Sequence, residues 1–357
     1  MDREPSDRKR EADGRKPRSG AKDVARLAGV STATVSRALS NPQKVDPATR
    51  QRVLDAATKL RYVPHGAART LRSHRSKMVG AIVPSFDYAL YARTTSALQR
   101  ALDERGYALV LAEHHYDLAA ETRITQQLIE HGVDAFMLVG LDHEQALYAL
   151  LDDYGRPFVL TWGVDPLRRH PSIGFDNRDA TYKAASHLIA LGHRRIGLLS
   201  APVDSNDRAR ARGEGLRAAL AEHGLALDPA HVAHAPISLA SAQAGMARIL
   251  ASRDPPTAVV ATNDVFAVGA MLACRDAGVD VPGRMSITGV DNTDLGATQT
   301  PGLTSVATPI IDIGKCAADQ LVARLEGDAW EPFQQFPVEL VQRGSTAPPP
   351  KKARAGR

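Results

Sequence analysis

Cysteine is nearly absent from this 357-residue chain: Cys274 and Cys316 stand far apart and form no CxxC pair. That pattern supports neither a disulfide framework nor a zinc site, and fits two buried structural thiols. No uninterrupted apolar run reaches the roughly 18 residues of a membrane-crossing helix. The opening MDREPSDRKREADGRKPRSG has charges but lacks the apolar centre of a signal peptide. The expectation is a cytoplasmic protein with no membrane partner. Catalytic motifs are missing too, since the chain contains no GxxxxGK[ST], GxSxG or HExxH. Gly213-Glu214-Gly215 lacks the third glycine of a dinucleotide loop, and His114, His115 and His193 lie in apparent loops with no third ligand at metal spacing. Nothing here argues for an enzyme, a cofactor or a metal.

What the chain does have is length, 43% hydrophobic residues and an uneven charge. The length suits two or three domains. From Ser19 to Lys77 twelve Lys and Arg face three acids, Asp23, Asp46 and Asp55, a net +9; Met1 to Arg18 adds +2, so the rest carries −6 of the overall +5. A basic segment on a mildly acidic body suggests a polyanion-binding head on a body with another task.

Inside that segment the apolar residues fall at helical spacing. Val24, Leu27 and Ala28 form one stripe, Val35, Ala38 and Leu39 a second, and Val53, Leu54, Ala57 and Leu60 a third. Gly29 ends the first predicted helix, Ser31 caps the second, and Asp46-Pro47 opens the third with cap and N1 residues in order. A three-residue turn between the first two helices makes a helix-turn-helix. Thr32, Ala33, Ser36 and Arg37 face away from the second stripe, with Thr32 and Ala33 at the end that enters the major groove. Arg37 suits a bidentate contact to guanine, and Thr32 and Ala33 offer methyl groups to thymine. Pro64 then stops the third helix, and Ala67, Ala68 and Leu71 form a short stripe among Arg69, Arg72 and Arg75. An isolated helix of that length is marginal in water and needs a partner.

After Lys77, short apolar runs (MVGAIVP, YALVLA, AFMLVG, PFVLTWG, RIGLLSA, TAVVAT, SITGVD) alternate with helical patterns such as TTSALQRALDERG and AASHLIALGH. Strand and helix in alternation predict doubly wound parallel sheets. Seven or more units exceed one sheet, so two α/β subdomains are expected, with a ligand cleft at the carboxyl ends of their strands.

DVARLAGVSTATVSRALS, TRQRVLDAATKLRYVP and AARTL together resemble the DNA-binding head and hinge of the lactose-repressor (LacI) family of transcriptional regulators. The resemblance covers the chain apart from its tails, and the body is similar to periplasmic sugar-binding proteins. It implies a small all-α head followed by two doubly wound subdomains. It implies that Thr32, Ala33 and Arg37 read bases, and that paired hinge helices place Ala68 and Leu71 over the minor groove with Leu71 as a wedge. His65 stands where the family usually has Asn. In the body it places Arg212 of an R-x-x-G motif, Asn263, Asp291, Phe175 and Asp176 at the ligand cleft. PSFDYALYART stands where the family commonly has Asn-Pro-Phe-Phe, and Ser85, Phe86, Tyr88 and Tyr91 are the ligand-site candidates it offers there. Trp162, one of two tryptophans, offers either a flat platform for a sugar ring or core filling. Asp264 is read as the cap of the next helix and Asn263 as the ligand contact.

The same comparison divides the chain into tail 1–18, head 19–65, hinge 66–77, core 78–345 and tail 346–357. Within the core, 78–176 and 308–327 form the head-proximal subdomain, and 177–307 with 336–343 the distal one. Both tails are expected to be disordered by composition. The implied protein is a homodimeric repressor that binds a pseudo-palindromic operator in double-stranded DNA and responds to a sugar or sugar acid. A Pro- and Lys-rich terminus without heptads favours a dimer over a tetramer. The competing reading, a solute-binding protein with a basic head, conflicts with the helix-turn-helix and the missing signal peptide.

If a dimer neutralises about six phosphates, the logarithm of its DNA affinity should fall against log salt with a slope near −5. Fluorescence anisotropy titrations at several salt concentrations measure that slope; a flat dependence would favour the solute-binding reading.

Overall fold

The computed structural model describes residues 19–40, 42–63 and 75–351. The chain divides into two compact units, 1–76 and 77–357. In the first, α1 (Ala21–Ala28), α2 (Thr32–Ser40) and α3 (Pro47–Lys59) follow from local capping chemistry. Gly29 adopts φ +65°, a conformation glycine reaches without a Cβ penalty, and its N–H turns back to the last carbonyls of α1. Ser31 Oγ accepts from the Thr34 N–H at 3.1 Å and Asp46 Oδ2 from the Thr49 N–H at 3.0 Å, so α2 and α3 start with their orphan donors satisfied. The three helices bury Val24, Val35 and Val53 among alanines 25, 28, 38, 56 and 57. Leu27, expected in the first stripe, is 46% exposed, and the smaller Ala25 takes the buried position. Alanine at the contacts lets short helices approach closely.

The second unit contains two six-stranded sheets. The first is built from β1 (Met78–Val83), β2 (Ala108–Glu113), β3 (Ala135–Val139), β4 (Phe158–Thr161), β5 (Ser172–Gly174) and β11 (Phe333–Gln335), in the order β11-β5-β4-β3-β1-β2, all parallel. The second uses β6 (Ile196–Ser200), β7 (Val232–His234), β8 (Ala258–Ala261), β9 (Ser286–Asp291), β10 (Thr304–Ala307) and β12 (Glu339–Val341), in the order β12-β10-β9-β8-β6-β7. Only β12 runs antiparallel to its neighbour. Central strands such as β3 and β9 are buried at every position, as helices on both faces require. The strand order reverses at β1 in one sheet and at β6 in the other, and crevices open at such points.

Helices α4 (Ala89–Asp103), α5 (Leu118–Glu130), α6 (Gln145–Asp153), α7 (Asn177–Ala190), α8 (Asp207–Glu222), α9 (Leu239–Leu250), α10 (Asp264–Asp276), α11 (Asp294–Ala297) and α12 (Ile310–Glu326) complete the unit. Helix α7 begins well before the apolar pattern AASHLIALGH that predicts it, because the Asp176 side chain caps its start. Strands β5, β7 and β11 span three residues each, too few to show a period, and the sequence pattern does not reveal them. Composition placed a disordered tail from residue 346, yet Thr346 Oγ1 lies 3.0 Å from His187 Nε2, and the Ala347 N–H donates to Ser286 Oγ at 3.0 Å. Those backbone and hydroxyl groups satisfy partners on helix α7 and on the second sheet, which outweighs composition. Among the described residues no helix is long and apolar enough to cross a membrane.

One close contact sets the site's position. Helices α7 and α8 touch at Gly215, where an added Cβ would fall 2.0 Å from the Arg178 carbonyl oxygen. Gly215→Ala should therefore force the two helices apart and cost about 1–3 kcal/mol. Urea denaturation of parent and variant tests this, and an unchanged midpoint would mean that the contact relaxes freely.

Candidate functional site

A cavity of about 340 Å³ lies at the carboxyl ends of β1 and β6, the two strands where the sheet orders reverse; Pro84 and Ser85 line one side, Ala201 and Pro202 the other. It shares Tyr88, Tyr116, Ala201, Asn206 and Ile237 with a small inner chamber of about 30 Å³. The chamber is walled by Tyr91, Trp162, Arg208, Arg212, Thr262 and Asn263. The second unit thus draws these side chains from both sheets.

Arg212 is the centre of this arrangement and is 7% exposed. Its Nε donates to Asn177 Oδ1 at 2.8 Å, Nη1 donates to the Thr262 carbonyl oxygen, and Nη2 stands 3.7 Å from Asp291 Oδ1. The guanidinium also lies 5.9 Å from the Phe175 ring centroid. Thr181 donates to the Arg212 carbonyl oxygen at 2.5 Å, fixing α8 to α7 beside Gly215. Asp291 ends β9 with φ +107° and accepts from the Tyr88 hydroxyl through Oδ2, while Oδ1 has no hydrogen bond. Burial pushes the Asp291 carboxyl up to about 7, with Arg212 opposing the shift. Burial and then the Asp291 charge likewise raise the Tyr88 hydroxyl.

An aromatic wall runs from Tyr88 to Phe175. Tyr88 and Tyr91 meet edge to face at 5.4 Å, Tyr91 and Trp162 at 5.0 Å, and Trp162 and Phe175 lie tilted at 6.5 Å. Trp162 is 2% exposed and wedged among these rings, so it is no open platform; its edge borders the chamber, and its indole Nε1 is buried without a partner. Its backbone has φ +69°, and its carbonyl oxygen accepts from Asn177 Nδ2 at 2.6 Å.

Other expected residues fare differently. Asn263, not Asp264, caps α10: its Oδ1 accepts from the Phe266 N–H at 2.8 Å, which turns the amide nitrogen away from the helix. The Asp264 carboxylate instead accepts from Ser305 Oγ and from both the N–H and hydroxyl of Thr293. Ser85 borders the outer cavity, though its Oγ accepts from the Asp87 N–H. Phe86 is 45% exposed and borders neither space. Asp176 is exposed, caps α7 through the Arg178 and Asp179 N–H groups, and lines a separate cavity of about 390 Å³ with Phe175, Arg210 and Glu214. Asp176 therefore leaves the chamber because its carboxylate is consumed by a helix start. Beside that second cavity Arg210 donates to Asp142 at 2.6 Å. The sequence reading missed Asn177, Asn206, Arg208 and Tyr116; only Arg208 had a signal, since it lies one helical turn before Arg212.

In the first unit Thr32, Ala33 and Arg37 are exposed on α2 and Ser36 is half-buried. Ala68 and Leu71 lie outside the described residues.

Residues 21–65 match the family described as "Bacterial regulatory proteins, lacI family", and residues 185–346 match a "Periplasmic binding protein-like domain". The HTH-type transcriptional repressor CytR of Escherichia coli is 31% identical over 91% of this chain and 95% of its own length. The HTH-type transcriptional regulator MalR of Streptomyces coelicolor is 35% identical over 92% and 96%. Among solved structures, the lac repressor dimer bound to operator and the anti-inducer ONPF superposes with a TM-score of 0.82 at 28% identity, over 93% of this chain and all of that one. The CelR–cellobiose complex does so with a TM-score of 0.69 at 30% identity, over 92% and 100%.

The Asp291 carboxyl binds its proton more tightly in the folded chain than in the unfolded one, so folding takes up a proton between about pH 4 and pH 7. Its contribution to stability is complete below pH 4 and is lost as pH rises toward 7. Asp291→Asn, which stays neutral, should be free of that loss, and its melting temperature should gain on the parent's across this window and level off above it. Thermal unfolding at several pH values checks this; a constant difference would mean that Asp291 is ionised throughout.

Proposed function

Because this chain belongs to the LacI family of bacterial transcriptional regulators, we propose that it is a cytoplasmic, homodimeric repressor whose cleft senses a sugar or a sugar-derived acid. The observation that carries the ligand class is the Arg212–Asp291 pair: the guanidinium lines the inner chamber that adjoins the cavity of about 340 Å³, and Asp291 stands 3.7 Å behind it with one buried carboxyl oxygen unbonded. A polyol presents neighbouring donors and acceptors, and a dry pair of opposite polarity fixes both. Asn263 would add an amide donor, Tyr91 and Trp162 would shape the apolar side, and Ser85 would meet the ligand's outer end. Phe175 would hold the Arg212 guanidinium in plane. The core would divide at 176, 308 and 336 into two subdomains, so that a ligand touching both favours one relative arrangement over another.

In the head, exposed Thr32, Ala33 and Arg37, with Ser36 behind them, would read bases in each half of a pseudo-palindromic operator. Ala68 and Leu71 would contact the minor groove, with Leu71 unstacking a central step at a cost offset by hinge folding. The relation between subdomains would then hold the two hinges together or apart.

A pair of substitutions separates the two tasks. Arg37→Ala should cost about 1–3 kcal/mol and relax specificity at one base pair of each half-site. Arg212→Ala should abolish the ligand's effect on operator binding while binding itself persists. Anisotropy on an operator selected from random duplexes, with and without sugars and sugar acids, reads both. Equal loss on all DNA sequences would make Arg37 a phosphate contact, and an intact ligand response would remove Arg212 from the site.

A further inference from the structure

The inner chamber holds more positive charge than a neutral polyol needs. Arg208 stands one helical turn before Arg212 on α8, so both side chains leave the same face of the helix. It is 6% exposed and lines the chamber with Arg212. Its guanidinium reaches across to the first sheet, where Nη1 lies 3.4 Å from the Val139 carbonyl oxygen at the end of β3 and 2.8 Å from Asp207 Oδ1. Gly140, at φ +101°, makes the room: a Cβ there would fall 2.0 Å from Nη1. The backbone of the first sheet is thus shaped around a cation that originates in the second.

The polar groups of the chamber are unequal in kind. Donors come from two guanidiniums and from the buried, unpartnered indole Nε1 of Trp162, while the Tyr91 hydroxyl already accepts from Arg208 and is bonded to Tyr116. Asp291 stands behind Arg212 and does not line the chamber; burial drives it toward its neutral form, and it already accepts from Tyr88. Asp207 serves Arg208 from outside, lining the separate cavity with Arg210. A buried donor without an acceptor costs free energy until something supplies one. A ligand bearing its own negative charge supplies several at once.

We infer that the effector is a carboxylate, a sugar acid whose acid group enters the inner chamber and is gripped by Arg208, while its hydroxylated body occupies the outer cavity. This rests on the sugar-responsive reading of the cleft and narrows it. Size selects carboxylate over phosphate: about 30 Å³ holds roughly two water-sized atoms, matching two carboxylate oxygens rather than a phosphate's four. A planar guanidinium also matches the carboxylate fork.

Isothermal titration with a panel of aldonates, uronates and aldarates, their neutral parent sugars and glucose 6-phosphate tests this on the full-length protein and two variants, Arg208→Gln and Arg208→Lys. At least one sugar acid is expected to bind about 10- to 100-fold more tightly than its neutral parent. Arg208→Gln should erase that preference and Arg208→Lys should keep part of it, with thermal unfolding verifying that both are folded. A neutral sugar that binds as tightly as its acid, and loses binding in Arg212→Ala, would overturn this inference and leave the sugar-responsive reading standing. Preference for glucose 6-phosphate would overturn the carboxylate, and an unchanged preference in Arg208→Gln would overturn the role of Arg208. No binding by any member would overturn both readings together.

Discussion

A guanidinium taken out of water is the constraint around which the second unit is organised. A buried, unpaired cation would be prohibitively expensive, so each edge of Arg212 has a partner arranged for it. Asn177 meets Nε, the Thr262 carbonyl meets Nη1, Asp291 faces Nη2 and the Phe175 ring lies nearby. These partners come from the start of α7, the end of β8 and the end of β9, elements far apart in sequence. Gly215 brings the first of them close by letting α8 lie directly on α7. The pair remains incomplete, because at 3.7 Å the Asp291 carboxyl is near Arg212 without a hydrogen bond between them.

The same economy appears in the topology. Both sheets reverse their strand order at the first strand, and the loops leaving β1 and β6 frame one cavity between them. Neither sheet alone closes the space. The aromatic wall belongs to the first sheet and the polar groups largely to the second.

How much of this was legible in the sequence depended on how local the determining interaction is. The head was readable because caps act within three or four residues: Gly29, Ser31 and Asp46 do what their residue types suggest. Helical spacing identified a stripe but could not choose between Leu27 and Ala25, since that choice is made by the neighbouring helices. Alternating apolar runs revealed the long buried strands, whereas β5, β7 and β11 exist only through pairing with distant partners. At the site, Arg212 and Asp291 emerged through family resemblance, but the cap of α10 was assigned to Asp264 where Asn263 provides it. Both residue types can cap a helix, and Asp264 is withdrawn from that task by Ser305 and Thr293, which sit some thirty to forty residues later. The spacing of Arg208 to Arg212 was visible, but its significance depends on Gly140, just beyond β3 of the other sheet.

Asn177 joins the two halves through a single planar amide. Its oxygen receives Arg212 and its nitrogen holds the carbonyl of Trp162, next to the point where the chain leaves the first sheet for the second. A rigid plate gripped at both ends behaves like the arm of a balance: a rotation of one sheet against the other cannot shift the arginine without also shifting the tryptophan backbone. The two bonds also fix which end of the amide faces which way, because an oxygen turned toward Trp162 would meet another oxygen. Any angular displacement at the crossing would thereby move the cationic and aromatic sides of the chamber together. A molecule resting against both sides would sense the angle between the sheets as a change in the width of its seat.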